Sequence, residues 1–281
     1  MNAPNGIHNY AYNNIYELTG VSGAQTHAFT YDSVGNRTLA DGTAYVPNNL
    51  NQYNQVGPEL FTYDGNGNLT DDGPNGYTYD VENRLISVQN VSHTATYDYD
   101  GLERRISKTV DGSTTYFIYD GDRVIEERDA AGVLDVDYVY GEGIDEILTA
   151  KRYTLNPGVY YYFHDGLGSV TDITNANGEV IESYQYDVYG QPLTLSTIGN
   201  RYYFAGREFD VETGLYHNRA RTLNPSIGRF HQRDPIGNVD SENLYQYTDS
   251  VGKPTATNPN NFTNQYNMAY HLPVRFCWRA F

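Results

Sequence analysis

Tyrosine–aspartate pairs recur along the first half of this chain, and each carries the same residues behind it. "YDSVGNRTLA" begins at Tyr31, "YDGNGNLTDD" at Tyr63 and "YDVENRLISV" at Tyr79, followed by "YDGLERRISKTV" at Tyr99 and "YDGDRVIEE" at Tyr119. A weaker copy, "YNNIYELTGV", opens at Tyr12. Most copies lie about 16 to 20 residues apart, within the range of repeat architectures. The gap between Tyr31 and Tyr63 is nearly double and predicts a decayed copy in "YVPNNLNQYNQV".

Each copy reads as one hairpin. Residues alternate ahead of the pair ("HAFTYD", "TATYDYD", "TTYFIYD"), which is the period of a strand. The aspartate carboxylate can accept a hydrogen bond from the N–H two residues on and so start a turn. A glycine or asparagine then supplies the left-handed backbone. The corner residues are therefore Tyr31 and Asp32, Tyr63 and Asp64, Tyr79 and Asp80, Tyr99 and Asp100, and Tyr119 and Asp120. A lone hairpin is marginal in water, so neighbours must pair edge to edge into a long sheet. The composition agrees, with 29 Tyr, 27 Gly and 11 Pro among 281 residues. Tyrosine is a good strand residue and suits a half-buried surface. No helix of any length is supported.

A net charge of −17 argues against nonspecific binding to nucleic acid or to anionic membranes. No apolar run is long enough to span a bilayer, and the opening "MNAPNGIHNYAYNNIYELTG" lacks the regions of a signal peptide. Cys277 is the single cysteine, which excludes an internal disulfide framework. The carboxylates of residues 121–146 lack the order of a calcium loop. No metal site and no cofactor is expected.

With these repeats, and with "YYFHDGLGSVTDITNANGEVIESYQYDVYGQP" (161–192), "YYFAGREFDVETGLYHNRARTLNPSIGRFHQRDPIG" (202–237) and "NLYQY" (243–247), the chain resembles the Rhs, or YD-repeat, family. The last three stretches are similar to the Rhs repeat-associated core domain. The resemblance implies an all-β fold: consecutive hairpins in a long curved antiparallel sheet, like the wall of a spiral shell, with a turn-rich cap at its C-terminal end. It divides the chain into a hairpin sheet (1–160), a core domain (161–257) and a variable or truncated tail (258–281). It also implies a shell that encloses a C-terminal effector polypeptide, often a toxin, and a protein that is secreted or on the cell surface.

The same resemblance associates the arginine at 221 and the aspartate at 234 with self-cleavage just after the core. Aspartic chemistry needs two carboxylates sharing a proton, and Asp240 is the nearest second candidate, with Glu242 behind it. The opposing expectation is structural: Arg219, Arg221, Arg229 and Arg233 pair with Glu208, Asp210 and Glu212 and tie down a turn-rich plug. The sequence also departs from the pattern. Where the family has a second Asp-Pro-x-Gly-Leu, this chain has Asn258, Pro259 and onward to Phe262. An amide does not transfer protons at neutral pH. If Asn258 only shapes the cleaved strand, a cut after Phe262 survives; if an aspartate is required there, it does not. The tail from Thr263 is too short for an independent fold.

Three functions follow, in order of preference. The chain is the wall and cap of a shell, partnered by its effector or by the remainder of the shell. Alternatively it is a single-turnover aspartic autoprotease cutting near Phe262. The third reading is a cell-surface module whose tyrosines bind carbohydrate.

Overall fold

The computed structural model describes residues 8–237 and 242–247. Among these, a seven-stranded sheet runs from His8–Tyr12 to Glu59–Leu60, and a thirteen-stranded sheet from Thr62–Tyr63 to Val180–Ser183. Each strand in both pairs antiparallel with the next in sequence. A four-stranded sheet follows (Glu208–Asp210, Leu215–Asn218, Arg221–Asn224 and Arg229–Phe230). The wall is thus all-β hairpins, in two sheets rather than one. The seam is one residue wide. Glu59–Leu60 pairs backward, Thr62–Tyr63 pairs forward, and Phe61 between them turns inward, 9% exposed. The thirteen-stranded sheet runs unbroken through residue 160, in the strand Gly158–His164, and ends at Ser183.

The corners share one hydrogen-bond set. Oδ1 of Asp32 accepts the N–H of Val34 (3.0 Å) and of Asn36 (2.8 Å). Asp64, Asp80 and Asp100 do the same with residues two and four further on, at 2.8–3.0 Å. The second carboxylate oxygen takes the side chain four residues on: Asn36, Asn68, Arg84 Nε or Arg104 Nε. The residue three positions on lies at positive φ, between 65° and 89°, in Gly35, Gly67, Asn83 and Glu103. Asn48 builds the same turn with its carboxamide, inside the decayed copy.

Asp120 does not. It faces Arg123 across a two-residue turn in which Gly121 has φ 57°, so the loop has no fourth residue for the carboxylate to cap. The corner bonds appear instead at Asp129, with Ala131 and Val133.

The tyrosine of a pair locks its hairpin to the one before. Tyr31, Tyr99 and Tyr119 donate their hydroxyls to the carbonyls of Leu18, Leu85 and Arg105, at 2.7–2.9 Å. Each such bond contributes about 1 kcal/mol net. Tyr79 does not make this bond: its hydroxyl is buried with no partner among the described residues.

One face of the wall carries Val21, Phe29, Tyr77, Val88, Tyr97, Phe117, Val136, Tyr138 and Ile173, all below 9% exposed. Against it pack the described residues between Tyr184 and Tyr247 (Tyr184, Tyr203, Phe209, Leu215 and Ile227 among them), which form a plug on that face of the wall. The plug comes close enough that two corner positions require glycine. A Cβ on Gly35 would strike the Gln246 side chain, and one on Gly67 would strike Arg233.

Candidate functional site: the plug and its junction with the wall

The register of the four-stranded sheet sorts its side chains onto two faces. Glu208 lies opposite His217, Asp210 opposite Leu215, and Asn224 opposite Arg229. That face meets the wall. On the other face Phe209 lies opposite Tyr216, Asn218 opposite Arg221, and Leu223 opposite Phe230.

The wall-facing side is held by buried charge. Arg105, 2% exposed, reaches Asp210 at 2.6 Å through Nη1 and Glu208 at 2.6 Å through Nη2. Lys108 adds bonds to Asp210 (2.8 Å) and Glu212 (3.0 Å). Arg201 of the plug pairs with Glu208 and with Glu127 of the wall, and Glu127 also accepts the Tyr138 hydroxyl at 2.6 Å. Burial alone would raise the Asp210 carboxyl, yet Arg105 and Lys108 hold it well below the usual carboxylate range. Further along, Asp145 joins Arg207 (2.8 Å) to Arg219 (2.9 Å), beside a cavity of about 400 Å³ lined by Tyr119, Tyr140 and Tyr202. Arg229 lies over the Tyr53 ring and donates to the Asn51 carbonyl and to Asn36. Arg233 donates to the Tyr245 hydroxyl.

The expected pairing of Arg219, Arg229 and Arg233 with Glu208, Asp210 and Glu212 is therefore wrong in its partners. Those three carboxylates are taken by Arg105, Lys108 and Arg201, two of which come from the wall. Sequence proximity was the misleading cue. The missed residue, Arg105, carried a signal: it occupies an inward position of a strand that otherwise buries Ser107 on the same face.

Arg221 and Asp234 do meet. Nη2 lies 3.0 Å from Oδ2, with the two side chains 1% and 7% exposed. The guanidinium sits 3.7 Å above the Phe230 ring. Burial drives it down to about 10 against the upward pull of Asp234, so it stays cationic at neutral pH. Asp234 also repeats half of the wall's corner. Its Oδ1 accepts the N–H of Ile236 (3.1 Å), its carbonyl accepts that of Gly237, and Gly237 has φ 70°. One carboxylate oxygen thus shapes the turn and the other holds the arginine. Asp240, Asn258, Pro259 and Phe262 lie outside the described residues. Glu242 offers its main-chain carbonyl to Asn51. Among the described residues no group of three or more His, Cys, Asp or Glu is placed to hold a metal, and no helix is long and apolar enough to cross a membrane.

A plug bonded side chain by side chain to the inward face of a corner-built wall defines a YD-shell. The family model described as Teneurin YD-shell matches residues 2–273, and the chain belongs to that family. It is 37% identical over 235 residues to the tRNA3(Ser)-specific nuclease WapA of Bacillus spizizenii, covering 78% of this chain and 10% of that protein. It is 30% identical over 227 residues to the Double-stranded DNA deaminase toxin A of Burkholderia cenocepacia, covering 66% of this chain and 16% of that protein. Among solved structures, the crystal structure of TcdB2-TccC3-Cdc42 aligns with a TM-score of 0.52 at 17% identity. That alignment covers 93% of this chain and 19% of the other, and it shows the fold alone. The chain spans a tenth to a sixth of the length of these curated relatives.

Proposed function

We propose that this chain supplies the last turns of a shell wall together with the plug that seals it, and that the completed shell encloses a C-terminal effector polypeptide. The carrying observation is the way plug side chains satisfy main-chain groups of the wall. Arg229 serves the carbonyl of Asn51, Tyr245 that of Gly67, Gln246 that of Gly35 and Asn90 that of Glu212 in return. A plug so bonded resists being pushed out without opening the wall. The names of the relatives, two of them a nuclease and a deaminase toxin, favour a toxic cargo, and a secreted or surface location goes with it.

In this reading the chain is no turnover enzyme. The test is to graft it in place of the matching stretch of the Bacillus spizizenii relative. A polypeptide placed after the graft is expected to survive protease that digests it when free. Digestion at the free rate would sink the reading.

A second reading, self-cleavage, is favoured by the Arg221–Asp234 pair. Hydrolysis would add the hydroxyl of one water to the scissile carbonyl carbon, with the carboxylate taking the water's proton and the leaving nitrogen receiving one. A time-resolved mass spectrum of the full chain is expected to show loss of a fragment beginning near Thr263, abolished by Asp234→Asn. An intact wild-type chain after days of incubation refutes it and leaves the shell reading standing.

A further inference from the structure

Asn218 and Arg221 are among the plug side chains buried with polar atoms that make no hydrogen bond among the described residues. Asn218 is 2% exposed, and neither its Oδ1 nor its Nδ2 has a partner. In Arg221, 1% exposed, none of the three guanidinium nitrogens makes a hydrogen bond among the described residues, and Nη2 is ion-paired with Asp234 Oδ2 at 3.0 Å, which leaves the Nε/Nη1 edge without any partner. The register sets Asn218 directly opposite Arg221, so both side chains leave the same face of the sheet. These unsatisfied atoms belong to neighbouring side chains on one face of the sheet, the face on which Arg221 meets Asp234. A buried polar group left unpaired is costly, and native proteins rarely keep one without a use.

The chemistry of those atoms selects a ligand. A carboxamide presents one donor and one acceptor, which complements a main-chain peptide group presenting one acceptor and one donor. Phosphate or a carboxylate would satisfy the guanidinium but would set a negative charge against Asn218 Oδ1. A water could bridge two of the atoms, yet it would leave the others on that face unpaired. Tyr247 indicates the source. Its ring packs 5.5 Å from Phe230, the same ring that carries Arg221, so the chain leaves the described structure next to these atoms.

We propose that Asn218 and the Nε/Nη1 edge of Arg221 form a seat for one main-chain peptide group of the segment that follows Tyr247. As a positioning role for cleavage this rests on the self-cleavage reading of Arg221 and Asp234; as a seat for a peptide it does not.

The test uses the full chain and Asn218→Leu, which keeps the volume and removes both polar atoms. If the wild type cuts itself, the Leu variant is expected to release product at least fivefold more slowly without melting higher. Release within fivefold of wild type, or a higher melting temperature from deleting an idle amide, overturns the proposal. If the wild type stays intact, the cleavage reading falls and hydrogen exchange decides the seat. Peptides after Tyr247 are expected to exchange at least fivefold faster in Asn218→Leu than in wild type, while the strands Leu215–Asn218 and Arg221–Asn224 stay protected. Equal exchange refutes the seat. Should the Leu variant fail to fold, Asn218→Ser is read by the same two measurements.

Discussion

The corner aspartates of the wall and Asp210 of the plug are the same residue in opposite employment. In the wall, Asp32, Asp64, Asp80 and Asp100 spend their oxygens on N–H groups and side chains no more than four positions away. In the plug, Asp210 takes its cation from Arg105, a hundred and five positions upstream. The first kind of bond lies within a single turn and needs no other part of the molecule. The second exists only once plug and wall have met. Wall corners should therefore act locally and in parallel, while the plug's charges act once and for the whole assembly.

The largest expected effect breaks the second kind. Arg105→Met keeps the bulk between Tyr97 and Phe117 but leaves Asp210 and Glu208 buried with less cation. Removing one member of a buried ion network costs about 3–5 kcal/mol, because the partner charge is left uncompensated. Urea unfolding of the variant should show that loss. A change below about 1 kcal/mol would mean that the network is solvated and does not hold the plug.

The same contrast decides what could be read from the sequence. Corner turns were legible because every bond they make is local, and even the decayed copy announced itself through "NNLNQ", where Asn48 stands in for aspartate. Asp120 misled because Tyr-Asp-Gly precedes a two-residue loop as readily as a four-residue one. Nothing in those three letters counts the residues to the return strand. The seam at Phe61 was invisible for a related reason: a single inward side chain interrupts the ladder without changing the repeat. The plug's partners were beyond reach, since a pairing such as Arg229 with Asn36 spans a hundred and ninety-three positions. Arg221 and Asp234 meet in the structure, although neither their spacing nor their charge distinguishes them in the sequence from Arg229 or Asp210.

A smaller effect sharpens the comparison through pH. His231 is 1% exposed, packs edge-on against Tyr77 of the wall at 4.6 Å, and is pushed by burial down to about 3. His217, on the wall-facing side, is likewise driven well below its ordinary value by burial, with Arg105 adding to the effect. Their folded pKa values lie below the unfolded one of about 6.5. The unfolded chain thus takes up protons that the folded chain refuses, and stability falls as pH drops below 6.5. For His231 alone the loss is about 2–3 kcal/mol between pH 6.5 and 4.5. The lowered Asp210 carboxyl contributes its own loss only at more acid pH. Unfolding measured across this window should show the slope, and His231→Phe should flatten part of it. An unchanged slope would place the titration elsewhere, and the plug would not be the acid-sensitive half.

The smallest effect tests the wall. Asp100→Ala removes two acceptor bonds to Leu102 and Arg104 and the partner of the Arg104 guanidinium. By analogy with lost helix caps this costs about 1–2 kcal/mol. Asp120→Ala, at a pair with the same letters but without the corner, should change stability by no more than about 0.5 kcal/mol. The two variants differ in the number of residues between the aspartate and the returning strand, and in the Arg104 partner and partial burial that go with the longer turn. Equal losses would mean that the carboxylate contributes through charge or strand propensity. Unequal losses in the expected order assign the effect to the capped four-residue turn, and hence assign the repeat's regularity to hydrogen bonds that a short peptide could already form.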